Sequence, residues 1–171
     1  MDELNRLDAD SFKNSEKIAV VAVLDNLRSL NNVGAFFRTA DAFRLQKIVL
    51  CGFTGQPPHR EIHRSALGAE EVVAWEHVDK TSDALQSLKA LGYACVAIEQ
   101  TSNSLALHEF GFNKGSAYAL VFGNEVDGVS DEALAHCQHA IEIPQAGTKH
   151  SLNVSVCGGI VLWECYKQLS Y

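Results

Sequence analysis

The sequence contains no apolar run near the roughly 20 residues that a membrane-spanning helix requires. Its first residues are polar and acidic, with no basic segment followed by an apolar one, so no secretory signal is predicted. The five cysteines are odd in number and include no Cys-x-x-Cys pair, which favours reduced thiols over a disulfide framework. We therefore expect a globular cytoplasmic protein with no membrane partner.

An excess of positive charge is also missing. The chain has 14 lysines and arginines against 21 acidic residues, which gives a net charge of −7. Because phosphate binding usually comes with a basic surface, this balance argues against a nucleic-acid partner unless basic residues concentrate locally. Such a concentration exists in the segment His59–Arg64. The candidates for phosphate contacts are Arg28, Arg60, Arg64 and Lys149.

Several well-known site signatures are absent. The segment Gly123–Gly128 has neither the Lys-Ser/Thr of a P-loop nor a Gly-x-Gly-x-x-Gly pattern. Its glycines would let a ligand approach the backbone closely, and a plain turn after a strand explains them equally well. No His-Glu-x-x-His or Cys-x-x-Cys is present, so no metal is predicted. Ser151 has no Gly-x-Ser-x-Gly context, so we interpret it as a helix-start residue that caps N–H groups or bonds a ligand.

Apolar runs rich in β-branched residues alternate with segments whose apolar residues recur every three or four positions. The runs predict strands buried in a parallel sheet, and the spaced segments predict amphipathic helices. Six strands are predicted, at residues 18–24, 47–51, 72–75, 93–98, 117–122 and 140–143. Helices are predicted at residues 33–43, 81–91, 131–136 and 152–169, with Asn31 or Asn32 capping the first.

This alternation of strands and helices predicts one α/β domain with a mostly parallel six-stranded sheet flanked by helices. The domain is expected to span residues 18–171, with residues 1–17 as a loosely docked lead-in. The stretch from Ile143 to Val156 combines a strand end, a polar loop and a helix start, which is where α/β proteins bind ligands. Arg38 flanks the apolar face of the first helix, either as a surface arginine or as a group that needs an anionic partner.

Three segments together resemble the motifs of a known family. They are Asn32–Ala40 (NVGAFFRTA), Phe122–Val129 (FGNEVDGV) and the stretch from Ile143-Pro144 to Ser151-Leu152-Asn153-Val154-Ser155. In order and spacing they are similar to the three motifs of the SpoU (TrmH) family of RNA ribose methyltransferases. The resemblance covers the chain from about residue 18 onward.

The resemblance implies a SPOUT fold, in which the C-terminal segment threads through a loop to form a trefoil knot. The loop from Pro144 to His150 would belong to the knot and would hold S-adenosylmethionine. The resemblance also implies a homodimer, with the final helix in the interface and each active site near or across that interface.

Residues that match the family's cofactor-binding positions are Gly123, Ile143 and Leu152, with Ile98 and Glu99 expected to line the same pocket. Residues that match its catalytic and substrate-orienting positions are Asn32, Arg38, Glu125, Ser151 and Asn153.

Each of these polar residues has an expected role. Arg38 would hold a phosphate and favour a developing alkoxide. The family proposals also make it the base, although a guanidinium is hard to deprotonate. Glu125 would be an alternative proton acceptor or would orient Arg38. Asn32 and Asn153 would hold the ribose, and Ser151 would hydrogen-bond at the helix start.

The expected function is S-adenosylmethionine-dependent 2′-O-methylation of a ribose in tRNA or rRNA, with RNA and a second copy of the chain as partners. Two alternatives are weighed against it. One is a non-catalytic RNA-binding knotted dimer, and the other is a small-molecule methyltransferase, which the negative charge would suit.

Overall fold

A single parallel sheet forms the centre of the computed structural model, which describes residues 8–148 and 151–171. Within these residues the sheet has seven strands in the order β3-β2-β1-β6-β4-β7-β5. Every adjacent pair is parallel. The strands are β1 (Ile18–Asp25), β2 (Leu45–Cys51), β3 (Trp75–Val78), β4 (Tyr93–Ile98), β5 (Leu105–Ala106), β6 (Ala117–Phe122) and β7 (His139–Glu142).

The predicted strand count and the position of the third strand are both wrong. The additional strand, β5, is two residues long and pairs with β7 at the edge of the sheet. So short a segment carries no readable alternation. The third strand begins at Trp75, because Val72 and Val73 follow a 3₁₀ turn at Ala69–Glu71. Both valines pack against the core. Their apolar side chains therefore reflect burial and not an extended backbone.

Helices flank the sheet on both faces. They are α1 (Ala9–Asn14), α2 (Leu30–Ala42), α3 (Arg60–Ala66), α4 (Thr81–Ala90), α5 (Asp131–Ala135) and α6 (Val154–Ser170), with a second 3₁₀ turn at Leu107–Glu109. None of the helices in the described residues is long and apolar enough to span a membrane.

The helix starts differ from the predicted ones. The side chain of Ser29, rather than Asn31 or Asn32, caps α2 by accepting a hydrogen bond from the Asn32 N–H at 3.3 Å. Helix α6 begins at Val154 and not at residue 152, with Asn153 as its cap. The predicted capping role of Ser151 is therefore wrong.

Both faces of the sheet are buried, as the continuous apolar strands predict. On β1, Val20, Ala22 and Leu24 belong to a core that also contains residues of α2 and α6. Val21 and Val23 belong to a second core with residues of α4 and α5. At the N-terminal end, Phe12 of α1 is buried in the first core and docks that helix onto the domain.

The strand order places a topological switch point between β1 and β6. From β1 the chain adds β2 and then β3 on one side, and β4 and β7 lie on the other side beyond β6. Because all strands are parallel, their carboxyl ends meet at one edge of the sheet. Ligands bind in α/β proteins at the crevice that such a switch point opens at this edge.

Adjacent glycines in α6 provide a test of how that helix packs. A Cβ atom on Gly158 would lie 2.4 Å from Cε1 of Phe36, whose ring packs against Phe122, whereas one on Gly159 would meet no atom within 4 Å. Gly158→Ala should lower the free energy of unfolding by about 1 to 3 kcal/mol through overpacking. Gly159→Ala, the matched control, should raise it by about 0.5 to 1 kcal/mol because alanine favours helix. Urea unfolding measures both, and equal effects would contradict this packing.

Candidate active site

A cavity of about 460 Å³ opens at the carboxyl edge of the sheet, beside the switch point. The ends of β4, β6 and β7, the loop after β6 and the segment leading into α6 form its walls. Its lining residues are Ile98, Glu99, Gln100, Phe122, Gly123, Asn124, Glu125, Val126, Asp127, Gly128, Ile141, Glu142, Ile143, Gln145, Ser151, Leu152, Asn153, Val154 and Cys157.

All five residues predicted to bind the cofactor line this one cavity: Ile98, Glu99, Gly123, Ile143 and Leu152. Three of the five predicted catalytic residues, Glu125, Ser151 and Asn153, line it as well. The structure thus brings together residues from three separate parts of the chain, while their roles in binding and catalysis stay predictions.

The other two predicted catalytic residues lie outside the lining. Asn32 is buried, and its side-chain amide donates a hydrogen bond to Glu125. Arg38 is exposed on α2 and is not part of the cavity wall. Lys149, a predicted phosphate contact, and His150, the end of the predicted knot loop, lie outside the described residues.

A closed turn after β6 forms one wall of the cavity. Asn124 and Gly128 exchange two backbone hydrogen bonds of 2.9 Å, and Asn124 Oδ1 also accepts from the N–H of Val126 at 2.8 Å. A Cβ on Gly123 would lie 2.1 Å from the carbonyl carbon of Gly128. Glycine at this position therefore makes room for the turn itself, and not only for a ligand.

The Glu99 carboxylate fastens the same turn to the end of β4. Its Oε2 accepts from the Val129 N–H at 2.9 Å, and its Oε1 accepts from the Gln100 N–H at 2.9 Å. This wall of the cavity is therefore held by hydrogen bonds to backbone donors, and the Glu99 carboxylate stays within the lining.

A chain of hydrogen bonds joins the three motifs. Asn32 Nδ2 donates to Glu125 Oε1 at 2.9 Å, and Asn153 Nδ2 donates to Asn32 Oδ1 at 3.3 Å. Asn153 Oδ1 in turn accepts from the N–H groups of Ser155 and Val156 at 2.9 and 3.3 Å, which caps α6. The starts of α2 and α6 and the turn after β6 are therefore fixed relative to one another.

Glu125 also binds the free N–H groups that precede α2. Its Oε2 accepts from the Arg28 N–H at 2.8 Å, and its Oε1 accepts from the Ser29 N–H at 3.0 Å. A carboxylate is favoured there because the start of a helix carries partial positive charge. The sequence offered no sign of this contact, because Arg28 and Ser29 contribute backbone atoms, which any residue type has.

These contacts change the acidity of Glu125. Burial raises the pKa of its carboxyl group, but the hydrogen bonds from the Arg28 N–H, the Asn32 amide and the Ser29 N–H together outweigh burial and leave the pKa below its ordinary value. A carboxylate held in this way is a weak proton acceptor at neutral pH. Arg38 is not among the hydrogen-bond partners of Glu125, so within the described residues Glu125 does not orient Arg38 through a direct hydrogen bond.

Three of the histidines in the described residues, His59, His63 and His139, have structural partners. His59 Nδ1 accepts from the Glu61 N–H at 3.2 Å and caps α3, and the ring of His139 packs against Phe110. His63 Nδ1 lies 2.6 Å from Glu70 Oε1. His63, Glu70 and Glu71 form a group whose ligand atoms lie within 4.8 Å of one another, and none of the three lines the cavity.

Replacement of Glu125 by glutamine tests the carboxylate at the start of α2. Because the folded state lowers the pKa of Glu125, its stabilising effect is complete above the ordinary value of 4.5 and is lost as pH falls through the lowered pKa. Wild type should therefore be more stable than Glu125→Gln at neutral pH, and the difference should shrink below about pH 4. Urea unfolding across this pH range measures the difference. A difference that does not change with pH would contradict the assignment.

Comparisons with known proteins place this geometry in a family. Residues 19–163 match the model of the SpoU rRNA methylase family. An uncharacterised tRNA/rRNA methyltransferase of Synechocystis sp. is 35% identical over 95% of this chain and 41% of its own length. A 23S rRNA (guanosine-2′-O-)-methyltransferase, RlmB, of Neisseria meningitidis is 30% identical over 93% of this chain and 62% of its own length. The chain thus spans less than two thirds of either relative.

Solved structures agree with the sequence comparison. A TrmH/SpoU tRNA modifying enzyme of A. aeolicus has a TM-score of 0.82 at 29% identity, over 92% of this chain and 78% of its own. An AdoMet-bound rRNA methyltransferase of Sinorhizobium meliloti has a TM-score of 0.83 at 28% identity, over 94% of this chain and 61% of its own. The resemblance seen in the three sequence motifs is confirmed: this chain belongs to the SpoU rRNA methylase family.

Proposed function

We propose that this protein transfers the methyl group of S-adenosylmethionine to a ribose 2′-hydroxyl of tRNA or rRNA. The observation that carries the proposal is the cavity, whose walls include the second and third motifs. The Glu125–Asn32–Asn153 hydrogen bonds connect the cavity to the first motif. Relatives are named for 2′-O-methylation of guanosine in 23S rRNA and in tRNA.

The cavity suits S-adenosylmethionine in size and chemistry. Its 460 Å³ falls within the roughly 300–1,000 Å³ of small-molecule sites. Ile98, Ile143 and Leu152 offer apolar surface to an adenine ring, and the nearby carboxylates of Glu99 and Glu142 favour a cation such as a sulfonium. When bound there, the cofactor supplies the activated methyl group. A relative of 28% identity is known with AdoMet bound.

The remaining task is to position and activate the ribose. Asn153 is exposed at the cavity with its amide already held by Asn32, so its orientation is set before RNA arrives. Ser151 is exposed beside it and offers a hydroxyl to the ribose or the phosphate. Glu125 is committed to three donors, which leaves Arg38 as the group that holds phosphate and favours the developing alkoxide.

Arg38 does not line the cavity of its own subunit, and this supports a homodimer with shared active sites. Along α6, Val156, Ile160 and Trp163 are 52%, 40% and 47% exposed and lie at helical spacing on one apolar stripe. Helix α2, which carries Arg38, packs beside α6. We propose that two subunits bury this stripe against each other and that Arg38 completes the partner's site.

We also propose the C-terminal trefoil knot that family membership implies. Ile143 and Leu152 both line the cavity although nine positions separate them in the sequence. Phe122 and the turn after β6 line the same cavity. The fit of the chain to family structures with TM-scores above 0.8 supports this knotted path.

The cytoplasm, where tRNA and rRNA act, remains the proposed location.

The RNA surface is proposed to include the exposed arginines near the carboxyl edge. Arg28 precedes α2, and Arg60 and Arg64 lie on α3; all three side chains are exposed.

The two alternatives predict different outcomes when labelled methyl groups are offered with bulk RNA in single-turnover reactions. Labelled 2′-O-methyl nucleosides support the enzyme, binding without transfer supports the RNA-binding dimer, and turnover that survives nuclease treatment supports a small-molecule substrate.

Removal of the Arg38 guanidinium tests its assigned role. Arg38→Ala should abolish methyl transfer to RNA and leave the affinity for S-adenosylmethionine nearly unchanged, because the residue does not line the cavity. Lys89→Ala removes an exposed cation from the end of α4 and serves as the control, with normal transfer expected. Normal activity of Arg38→Ala would refute the assignment.

A second experiment asks whether Arg38 acts across the interface. Leu152→Asp should weaken cofactor binding by calorimetry, because it removes an apolar wall of the cavity; Leu91→Asp, outside the lining, is the control. Each of Arg38→Ala and Leu152→Asp should be inactive alone. When the two are mixed and allowed to exchange subunits, activity should return to about a quarter of wild type, because half the dimers then hold one complete site. No recovery, with heterodimers present by native mass spectrometry, would place Arg38 in its own subunit's site.

A further inference from the structure

Phe53 is exposed in a protein that otherwise covers its phenylalanines. Of the eight phenylalanines, six are buried and Phe43 is half-buried, whereas Phe53 is 64% exposed. A single exposed apolar side chain is common and carries no meaning alone. What distinguishes Phe53 is its position at the carboxyl edge of the sheet, two residues after β2, and the rigidity of the backbone that carries it.

The loop that carries Phe53 is fastened on both sides. The Phe53 N–H donates to Asn26 Oδ1 at 3.2 Å. The next residue, Thr54, is buried, and its hydroxyl donates to the Leu24 carbonyl at 3.1 Å and accepts from the Leu27 N–H at 2.9 Å. These bonds fix the backbone at Phe53. The loop would therefore lose little conformational entropy when a base stacks on the ring.

The same contacts connect Phe53 to the cavity. Asn26, which accepts from the Phe53 N–H, also accepts at its own carbonyl from Asn124 Nδ2 at 2.7 Å. Asn124 lines the cavity and holds the turn that carries Glu125. Two hydrogen-bonded residues therefore separate Phe53 from the proposed reaction site, and the exposed Arg28 lies two positions after Asn26.

We infer that Phe53 is a stacking platform for a nucleobase of the RNA next to the methylated ribose. This inference rests on the proposed function. Proteins recognise single-stranded RNA by stacking unpaired bases on aromatic side chains, while nearby arginines contact the phosphates. An exposed aromatic ring on a fixed loop, at the same edge of the sheet as the exposed Arg28, offers both kinds of contact.

Three substitutions separate stacking from simple apolar contact. Phe53→Leu keeps an apolar side chain but removes the ring, and Phe53→Trp keeps a stacking surface. Leu91→Ala is the control, because Leu91 is 71% exposed but lies before β4, at the opposite edge of the sheet. The probe is a pool of unmodified tRNA and rRNA transcripts, and the measurements are kcat/KM for methyl transfer, RNA affinity by filter binding and S-adenosylmethionine affinity by calorimetry.

Phe53→Leu should lower kcat/KM and RNA affinity by about tenfold, the loss expected for one base stack. Phe53→Trp and Leu91→Ala should stay within about twofold of wild type, and cofactor affinity should not change in any variant. Equal RNA affinity of Phe53→Leu and wild type would overturn the inference. Conversion of the dimer to monomers by Phe53→Leu, measured by sedimentation, would also overturn it and assign the ring to contact between subunits.

The inference and the proposed function can fail separately. If wild type binds RNA but transfers no methyl group, the proposed function fails, while a weaker RNA affinity of Phe53→Leu still supports stacking. If wild type methylates RNA and Phe53→Leu does so equally well, the inference fails and the proposed function stands.

Discussion

The Glu125 carboxylate can only accept hydrogen bonds, and this restriction sets the direction of every amide around it. Asn32 must present its NH₂ group to Glu125, which leaves its oxygen for the NH₂ group of Asn153. Asn153 then has only its oxygen to offer the backbone of α6. One charge thus determines the orientation of two amides and connects the starts of two helices beside the cavity.

Two other carboxylates at this edge of the sheet also accept hydrogen bonds from neighbouring N–H and O–H groups. The buried Asp25 accepts from the Thr81 hydroxyl and from the Ser130 N–H, and Glu99 accepts from Val129 and Gln100. Within the described residues, none of the ion pairs involves a carboxylate of the cavity wall. Backbone N–H groups, and not lysine or arginine side chains, therefore supply most of the hydrogen bonds to Glu99 and Glu125.

The sequence predicted the architecture because buried parallel strands leave a strong signal. The apolar runs that became β1, β4 and β6 were placed within one residue of their observed bounds. The second and third motifs contributed Gly123, Ile143 and Leu152, and the predicted end of β4 contributed Ile98 and Glu99; all five line one cavity. Elements fixed by tertiary contacts were missed. The two-residue β5 is defined by its pairing with β7 and not by a pattern in its own sequence. Val73 is buried in the core, so its apolar side chain does not indicate a strand.

The errors at the site have a similar origin. Ser151 has a good capping side chain, but the chain enters the helix two residues later, and Asn153 takes that role. The resemblance predicted that Glu125 accepts a proton or orients Arg38, yet its carboxylate accepts hydrogen bonds from backbone donors that no side-chain pattern reveals. Long-range backbone contacts of this kind can be seen only in three dimensions.

The double use of Asn153 restricts which residues evolution can place there. Aspartate, serine or threonine would cap α6 as well, since each accepts from the free N–H groups. An amide can accept from those groups and still donate to Asn32 Oδ1, whereas an ionised aspartate would set two oxygens against each other. Asparagine therefore suits this position because it can cap α6 and donate to the start of α2 at the same time.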